Sequence, residues 1–323
     1  MVPSITIAFQ TNHPLNSYGP MAAQCEAYGF DGVTVYNDML YQPAWLPLLE
    51  IARATRRVRI GPAAVNPFTC HPLNIAGNIA LLDEASGGRA YLGLARGAWL
   101  DFVGLAPPQP ITALREAFAC VRHLLEQRNE PFRGTVFQLA GGDTLRWPIL
   151  RSDIPFLLGS WGPAAIRACA ALVEEVKIGG TANPTVVAHV RQAAGNPALQ
   201  LCVGAVTVVD EDGTAARELA RRQAALYLPV IAPLDPTLAI EPELLARVNA
   251  AAAAYDFDTA ARNISDDLLA RLAFAGTPAE VAAQAEALFA AGCDRVEFGT
   301  PHGLSEASGL RLLGEQVLPR LRV

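Results

Sequence analysis

Charge is scarce in this sequence. Only 17% of its residues are Asp, Glu, Lys or Arg, and Lys177 is the single lysine among 25 basic residues. A net charge of −6 and a pI near 5.4 leave no basic face for a phosphate backbone or an anionic membrane, so neither partner is expected. No uninterrupted apolar run approaches the roughly 20 residues of a membrane helix. The opening MVPSITIAF lacks the basic and apolar regions of a secretory leader, so a cytoplasmic location is expected. The six cysteines (Cys25, Cys70, Cys120, Cys169, Cys202 and Cys293) show no Cys-x-x-Cys spacing and read as reduced, small apolar side chains. The chain also has no His-Glu-x-x-His, no Cys/His cluster, no Gly-x-Ser-x-Gly elbow, no Walker A loop and no GxGxxG. Those gaps argue against the common metal and serine chemistries, and no metal site is expected.

What is present is apolar and periodic. Half of the 323 residues (51%) are hydrophobic, ample for one large core, and the length suits a single α/β barrel. Short β-prone runs alternate with longer helical patterns, the signature of a parallel sheet. The runs fall at 4–9, 32–36, 58–64, 90–94, 155–159, 175–178, 201–208 and 295–299. Eight is the number that closes a barrel. The expected fold is therefore a (β/α)8 TIM barrel spanning 1–323 as a single domain. Two stretches break the rhythm. Glycines among β-prone residues predict an inserted hairpin over 131–147, before the fifth strand. An Ala- and Pro-rich stretch predicts a helical insertion over 229–274, between the seventh and eighth helices.

Barrel sites are assembled from the loops after the strands. After the first strand comes His13 and after the second Asp38, either of which could position a substrate or exchange a proton. Capping a helix or satisfying loop backbone is the competing reading for both. The third strand runs through Ala63, Ala64 and Val65 to Asn66. Small side chains there let a flat ring approach the backbone, and Asn66 offers donor and acceptor to a heterocycle edge; a tight turn accounts for the same composition. Gly159-Ser160-Trp161-Gly162-Pro163 places proline where a helix begins and leaves amides available to an anion. Lys177-Ile178-Gly179-Gly180-Thr181 offers amides and a hydroxyl at the next strand end. Ordinary glycine-bearing turns would look alike. Anion-ready loops without a built-in nucleophile point to a cofactor that brings the chemistry.

Several stretches together resemble the luciferase-like monooxygenase family, and its F420-dependent branch in particular. They are Tyr28-Gly29-Phe30-Asp31-Gly32-Val33, the run from Ala52 to Gly61, Val65-Asn66-Pro67-Phe68 with His71-Pro72, and the run from Leu82 to Leu94. Leu158 to Pro163, Gly276-Thr277-Pro278 and Glu297 to Pro301 complete the pattern, which covers nearly the whole chain. The resemblance implies a (β/α)8 barrel that uses coenzyme F420, or alternatively FMN, to move a hydride to or from a small organic substrate. It implies a cis peptide at Ala63-Ala64 behind the coenzyme ring, Asp38 and Asn66 near the ring, and Gly159, Gly162, Gly179 and Gly180 about a phosphate-bearing tail. Ser160, Lys177 and Thr181 fall in the same loops. Histidine commonly follows the aspartate in the family, where this chain has Met39, and the common Arg-His-Pro is Cys70-His71-Pro72. His13, Asp38 and Glu297 are the candidates for the proton. The resemblance also implies a homodimer, and a separate flavin reductase only for the FMN alternative. A coenzyme-binding barrel without catalysis is the third reading.

Overall fold

In the computed structural model, which describes residues 3–322, the short apolar runs extend as strands and the longer ones coil as helices. The strands are β1 (Ser4–Phe9), β2 (Gly32–Val35), β3 (Arg59–Pro62), β4 (Leu92–Ala95), β5 (Phe132–Arg133), β6 (Gln138–Leu139), β7 (Phe156–Gly159), β8 (Glu175–Gly179), β9 (Gln200–Val209), β10 (Ala273–Gly276) and β11 (Arg295–Gly303). Eight of them pair in parallel in the order β3-β2-β1-β11-β9-β8-β7-β4. The bridges Ile60 to Ala90 and Val65 to Leu94 join the two ends of that order, so the sheet closes into the expected (β/α)8 barrel. Helices such as Tyr18–Tyr28, Pro72–Ser86 and Pro163–Cys169 make the crossovers.

The two-residue period of a strand sorts its side chains between two environments. Ile5, Ile7 and Phe9 of β1, Val33 and Val35 of β2, Val176 and Ile178 of β8, and Val296 and Phe298 of β11 are buried in one apolar cluster with Cys25, Leu48, Ile51, Ile75 and Ile79 from the helices. That annulus between strands and helices is the hydrophobic core. The alternate positions carry Thr6, Thr34, Glu175, Lys177, Cys202, Arg295 and Glu297, which are also buried and therefore must pair with one another inside the barrel. Glycine punctuates the crossovers where the backbone must turn left. Gly29, at φ +97°, ends the helix Tyr18–Tyr28 and turns its N–H back onto Cys25 and Glu26.

Beyond the barrel, β5 and β6 form a two-stranded antiparallel pair. The Glu116 carboxylate secures the turn between them by accepting from the N–H groups of Thr135, Val136 and Phe137. After β9 the chain continues through the helices Gly213–Ile231, Pro242–Ala253, Phe257–Arg262 and Asp266–Leu272. The next residues form β10, a strand absent from the sequence reading, which assigned 273 and 274 to the helical insertion. β10 pairs in parallel with the upper half of β9, from Ala273 beside Val206 to Gly276 beside Val209. Its composition, Ala-Phe-Ala-Gly, carries little β-propensity, and only the exposed edge of the overlong β9 makes it a strand. Among the described residues no helix is long and apolar enough to cross a membrane, and no group of three or more His, Cys, Asp and Glu side chains could hold a metal ion.

Candidate active-site cleft

The C-terminal rim of the barrel opens onto a cleft of about 1270 Å³. An inner hollow of about 320 Å³ adjoins it, and Asp38, Ala64, Ala95, Gly159, Ser160 and Trp161 line both. The hollow exists because the last inward positions of the strands are small. Ala95 ends β4, Gly159 ends β7, Gly179 ends β8, and Gly204 lies midway along β9. A Cβ on Gly159 would sit 3.2 Å from the Ala95 Cβ and 3.7 Å from the Ala64 Cβ, so the three residues form a nearly featureless floor. A Cβ on Gly179 would meet nothing within 4 Å. The Ala63–Ala64 peptide bond beside this floor is cis, as the resemblance implied.

Polar groups border the floor. The Asp38 carboxylate accepts a hydrogen bond from Gln10 Nε2 (2.9 Å) through Oδ2, and Oδ1 has no protein hydrogen bond among the described residues. Tyr36 and Tyr227 line the inner hollow on opposite elements, the first just after β2 and the second on the helix Gly213–Ile231. Burial, and then the negative charge of Glu297, raises the Tyr36 hydroxyl well above its ordinary value. Burial, and then Asp38, raises that of Tyr227. Both hydroxyls therefore keep their protons at neutral pH and act as donors. Asn66 spends its Oδ1 on the N–H groups of Phe68 (3.1 Å) and Thr69 (2.9 Å) and on the Thr69 hydroxyl (3.0 Å). That leaves its Nδ2 as the donor on the cleft wall, against Gly97.

Beneath the hollow lies a closed set of charges. Lys177 Nζ pairs with Glu297 Oε1, and Arg295 reaches Glu297 Oε2 at 3.1 Å while forking onto Glu175 at 2.6 and 3.1 Å. Thr34 donates to Glu297 Oε2 at 2.6 Å, so the Tyr91 hydroxyl, 2.7 Å from Thr34 Oγ1, must be the donor of that pair. Two anions face two cations and the set is neutral. Burial alone would raise the Glu297 carboxyl, but Lys177 and Arg295 outweigh it and hold the group below its ordinary value.

These partners correct three expectations. Glu297 does not reach the cleft: it is fully buried, both its oxygens are occupied, and it lacks a proton to give. His13 stands outside both hollows, 3.4 Å from Glu306 and edge-on to Tyr18. Thr181 is fully buried, its hydroxyl donating to the Arg271 carbonyl and accepting from Asn183 N–H, so it offers no anion contact. The amides of Gly180 and Thr181 are directed to the Gly204 carbonyl. The structure does gather Asp38, Ala63, Ala64, Gly159, Ser160, Lys177, Gly179 and Gly180 about the inner hollow, with Val65, Asn66 and Gly162 on the wider cleft. Sequence reasoning overlooked Gln10, Tyr36, Tyr227 and Trp161 as site residues. The inward period of β2, which places Tyr36 on the face of Thr34, was the available signal for one of them.

The sequence model of the luciferase-like monooxygenase family matches residues 6–295. The 5,10-methylenetetrahydromethanopterin reductase of Methanopyrus kandleri is 28% identical over 313 residues, covering 89% of this chain and 88% of the reductase. The reductase of the same name from Archaeoglobus fulgidus is 27% identical, covering 92% and 93%. The solved structure of the coenzyme F420 dependent tetrahydromethanopterin reductase of Methanopyrus kandleri superposes with a TM-score of 0.89 at 24% identity, each chain covered in full.

Proposed function

The chain belongs to the luciferase-like monooxygenase family, and on that premise we propose that it is an F420-dependent oxidoreductase. It moves a hydride between the deazaflavin and a C=N, C=C or C–OH group of a small organic substrate. The observation that carries this reading is the floor of the inner hollow, where Gly159 lies so close to Ala95 and Ala64 that a Cβ on it would come within 4 Å of both, leaving a surface suited to a flat ring. Bound there, the coenzyme supplies hydride chemistry, which no side chain of this site can supply. Ala63, Ala64, Gly159 and Gly179 would lie against it, Trp161 would wall its side, and Asn66, Ser160 and Gly162 would line its way out along the cleft.

The side chains bind, orient and handle one proton. Asp38, oriented by Gln10, stands where floor and cleft meet and is the group that exchanges the proton. Tyr36 and Tyr227 donate to a substrate oxygen or nitrogen and help to fix it over the ring. Glu297 acts at a distance, by holding Lys177. Exposed apolar side chains on the cleft, Trp99 (53%) and Val103 (47%) among them, support a homodimer, which sedimentation would test. Six unpaired cysteines support a reducing, cytoplasmic location.

Separate titrations of the purified protein with F420 and with FMN test the coenzyme. Saturable F420 binding is expected. Tight FMN retention without F420 affinity would replace this reading by an oxygen-using enzyme fed by a flavin reductase. F420 binding without turnover of any imine, enone or alcohol in a broad panel would leave a binding protein.

A further inference from the structure

Lys177 is the single lysine of a chain whose every other basic residue is arginine. Arginine is the better partner for a buried carboxylate, and this chain uses it for that purpose one strand pair away, at Arg295. A lysine kept at this position has a local reason. Its ammonium is compact, and it occupies a narrow place between Glu297 of β11 and the ring of Tyr36, whose centroid is 5.1 Å from Nζ. Lys177 lines the inner hollow but not the wider cleft, so its charge faces the floor rather than any tail of a ligand extending outward.

We propose that Lys177 is a positioning residue that holds the ring of the bound deazaflavin as its delocalised anion; this rests on the F420 reading above. The ring hydroxyl of the deazaflavin is conjugated to a distant carbonyl, which makes it far more acidic than a phenol and spreads the resulting charge over the ring. Beneath the hollow the groups facing Lys177 are Glu297 and Arg295 from β11, Glu175 from its own strand and Cys202 from β9; within it are Tyr36 after β2, with Asp38 and Tyr227 across the space. Glu297 is fully engaged below, and the buried tyrosines stay neutral. The remaining protons of the ammonium are thus the positive charge nearest the ring.

The test is a pH titration of the visible absorbance band of F420, free and bound to protein. Bound to the wild-type protein, the ring should ionise about 1 pH unit lower than when free. Glu297→Gln, close to the native side chain in shape, should lower the midpoint further, because it leaves the ammonium uncompensated. The charge-balanced pair Lys177→Gln with Glu297→Gln should return it to the value of the free coenzyme. A purely structural role would change affinity without this order. Identical midpoints in the three proteins, or an upward shift in Glu297→Gln alone, would overturn the proposal. The single variant keeps the test decisive if the double one does not fold. Failure of wild-type protein to bind F420 would remove the function reading itself, a result distinct from binding with an unmoved midpoint.

Discussion

Two neighbouring strand ends, after β7 and after β8, have nearly the same glycine-rich composition and opposite uses. At the β7 end, Ser160 N–H reaches the Lys177 carbonyl (3.1 Å), Gly162 N–H bonds to Ser160 Oγ (3.2 Å), and Gly159 through Gly162 all line the cleft. At the β8 end, Gly180 N–H is fixed to the Gly204 carbonyl (2.8 Å), Thr181 is turned inward, and Gly180 takes a φ of +81° against Ile231. The first faces the cleft and the second is scaffold. The difference lies in how far the strand ladder holds the loop: two successive amides, of Gly180 and Thr181, close on the Gly204 carbonyl of β9, whereas after β7 the Lys177 carbonyl of β8 takes only the Ser160 amide. Glycine content alone does not reveal where a turn's donors point.

Six substitutions sharpen or break that contrast, beginning with the largest expected effect on stability and then comparing the two strand ends position by position. Lys177→Met leaves Glu297 buried beside one cation instead of two, and should cost about 3–5 kcal/mol in urea unfolding. The same ion pair sets a pH dependence. Glu297 ionises lower in the folded protein than in the unfolded chain, so its contribution is present above the ordinary value of 4.5 and lost as pH falls through the lowered one. Stability measured from pH 7 downward should therefore drop below about pH 4.5 in the wild-type protein, with a shallower drop in Glu297→Gln.

Gly180→Val should cost roughly 2–3 kcal/mol, since its φ is left-handed and a Cβ would lie 2.8 Å from Ile231 Cδ1. Gly162→Ala, at φ −72°, should stay within about 0.5 kcal/mol of wild type. Equal melting temperatures for the two would erase the distinction between scaffold and cleft surface. Thr181→Val should cost about 1–2 kcal/mol through its two lost hydrogen bonds and leave F420 affinity unchanged. Ser160→Ala should do the reverse, weakening F420 binding about two- to tenfold with little change in melting.

The barrel was legible because its evidence is local. Period-two runs such as Ile5, Ile7 and Phe9 need no knowledge of their partners to be read as a strand face. β10 was not, because Ala273 to Gly276 owe their extension to β9, more than 60 residues earlier in the chain. The same divide runs through the site. Asp38, Ala64, Asn66 and Gly159 could be placed at the cleft from their positions after strands. The fates of Glu297 and His13 could not, since Lys177 is 120 residues from Glu297 and Glu306 lies at the opposite end of the chain from His13. A titratable side chain near a strand end becomes an acid, a counter-ion or a scaffold pair according to partners that only the closed barrel brings together.

The floor of the inner hollow carries the functional claim, and Gly159→Val tests it directly. F420 binding to the wild-type and variant proteins would be followed by quenching of the coenzyme's fluorescence, with melting temperatures recorded alongside. A saturable wild-type curve, with affinity at least about tenfold weaker in the variant and a melting temperature shifted by only a few degrees, is the predicted result. Equal affinity in the two proteins, or no F420 binding to either, would contradict it.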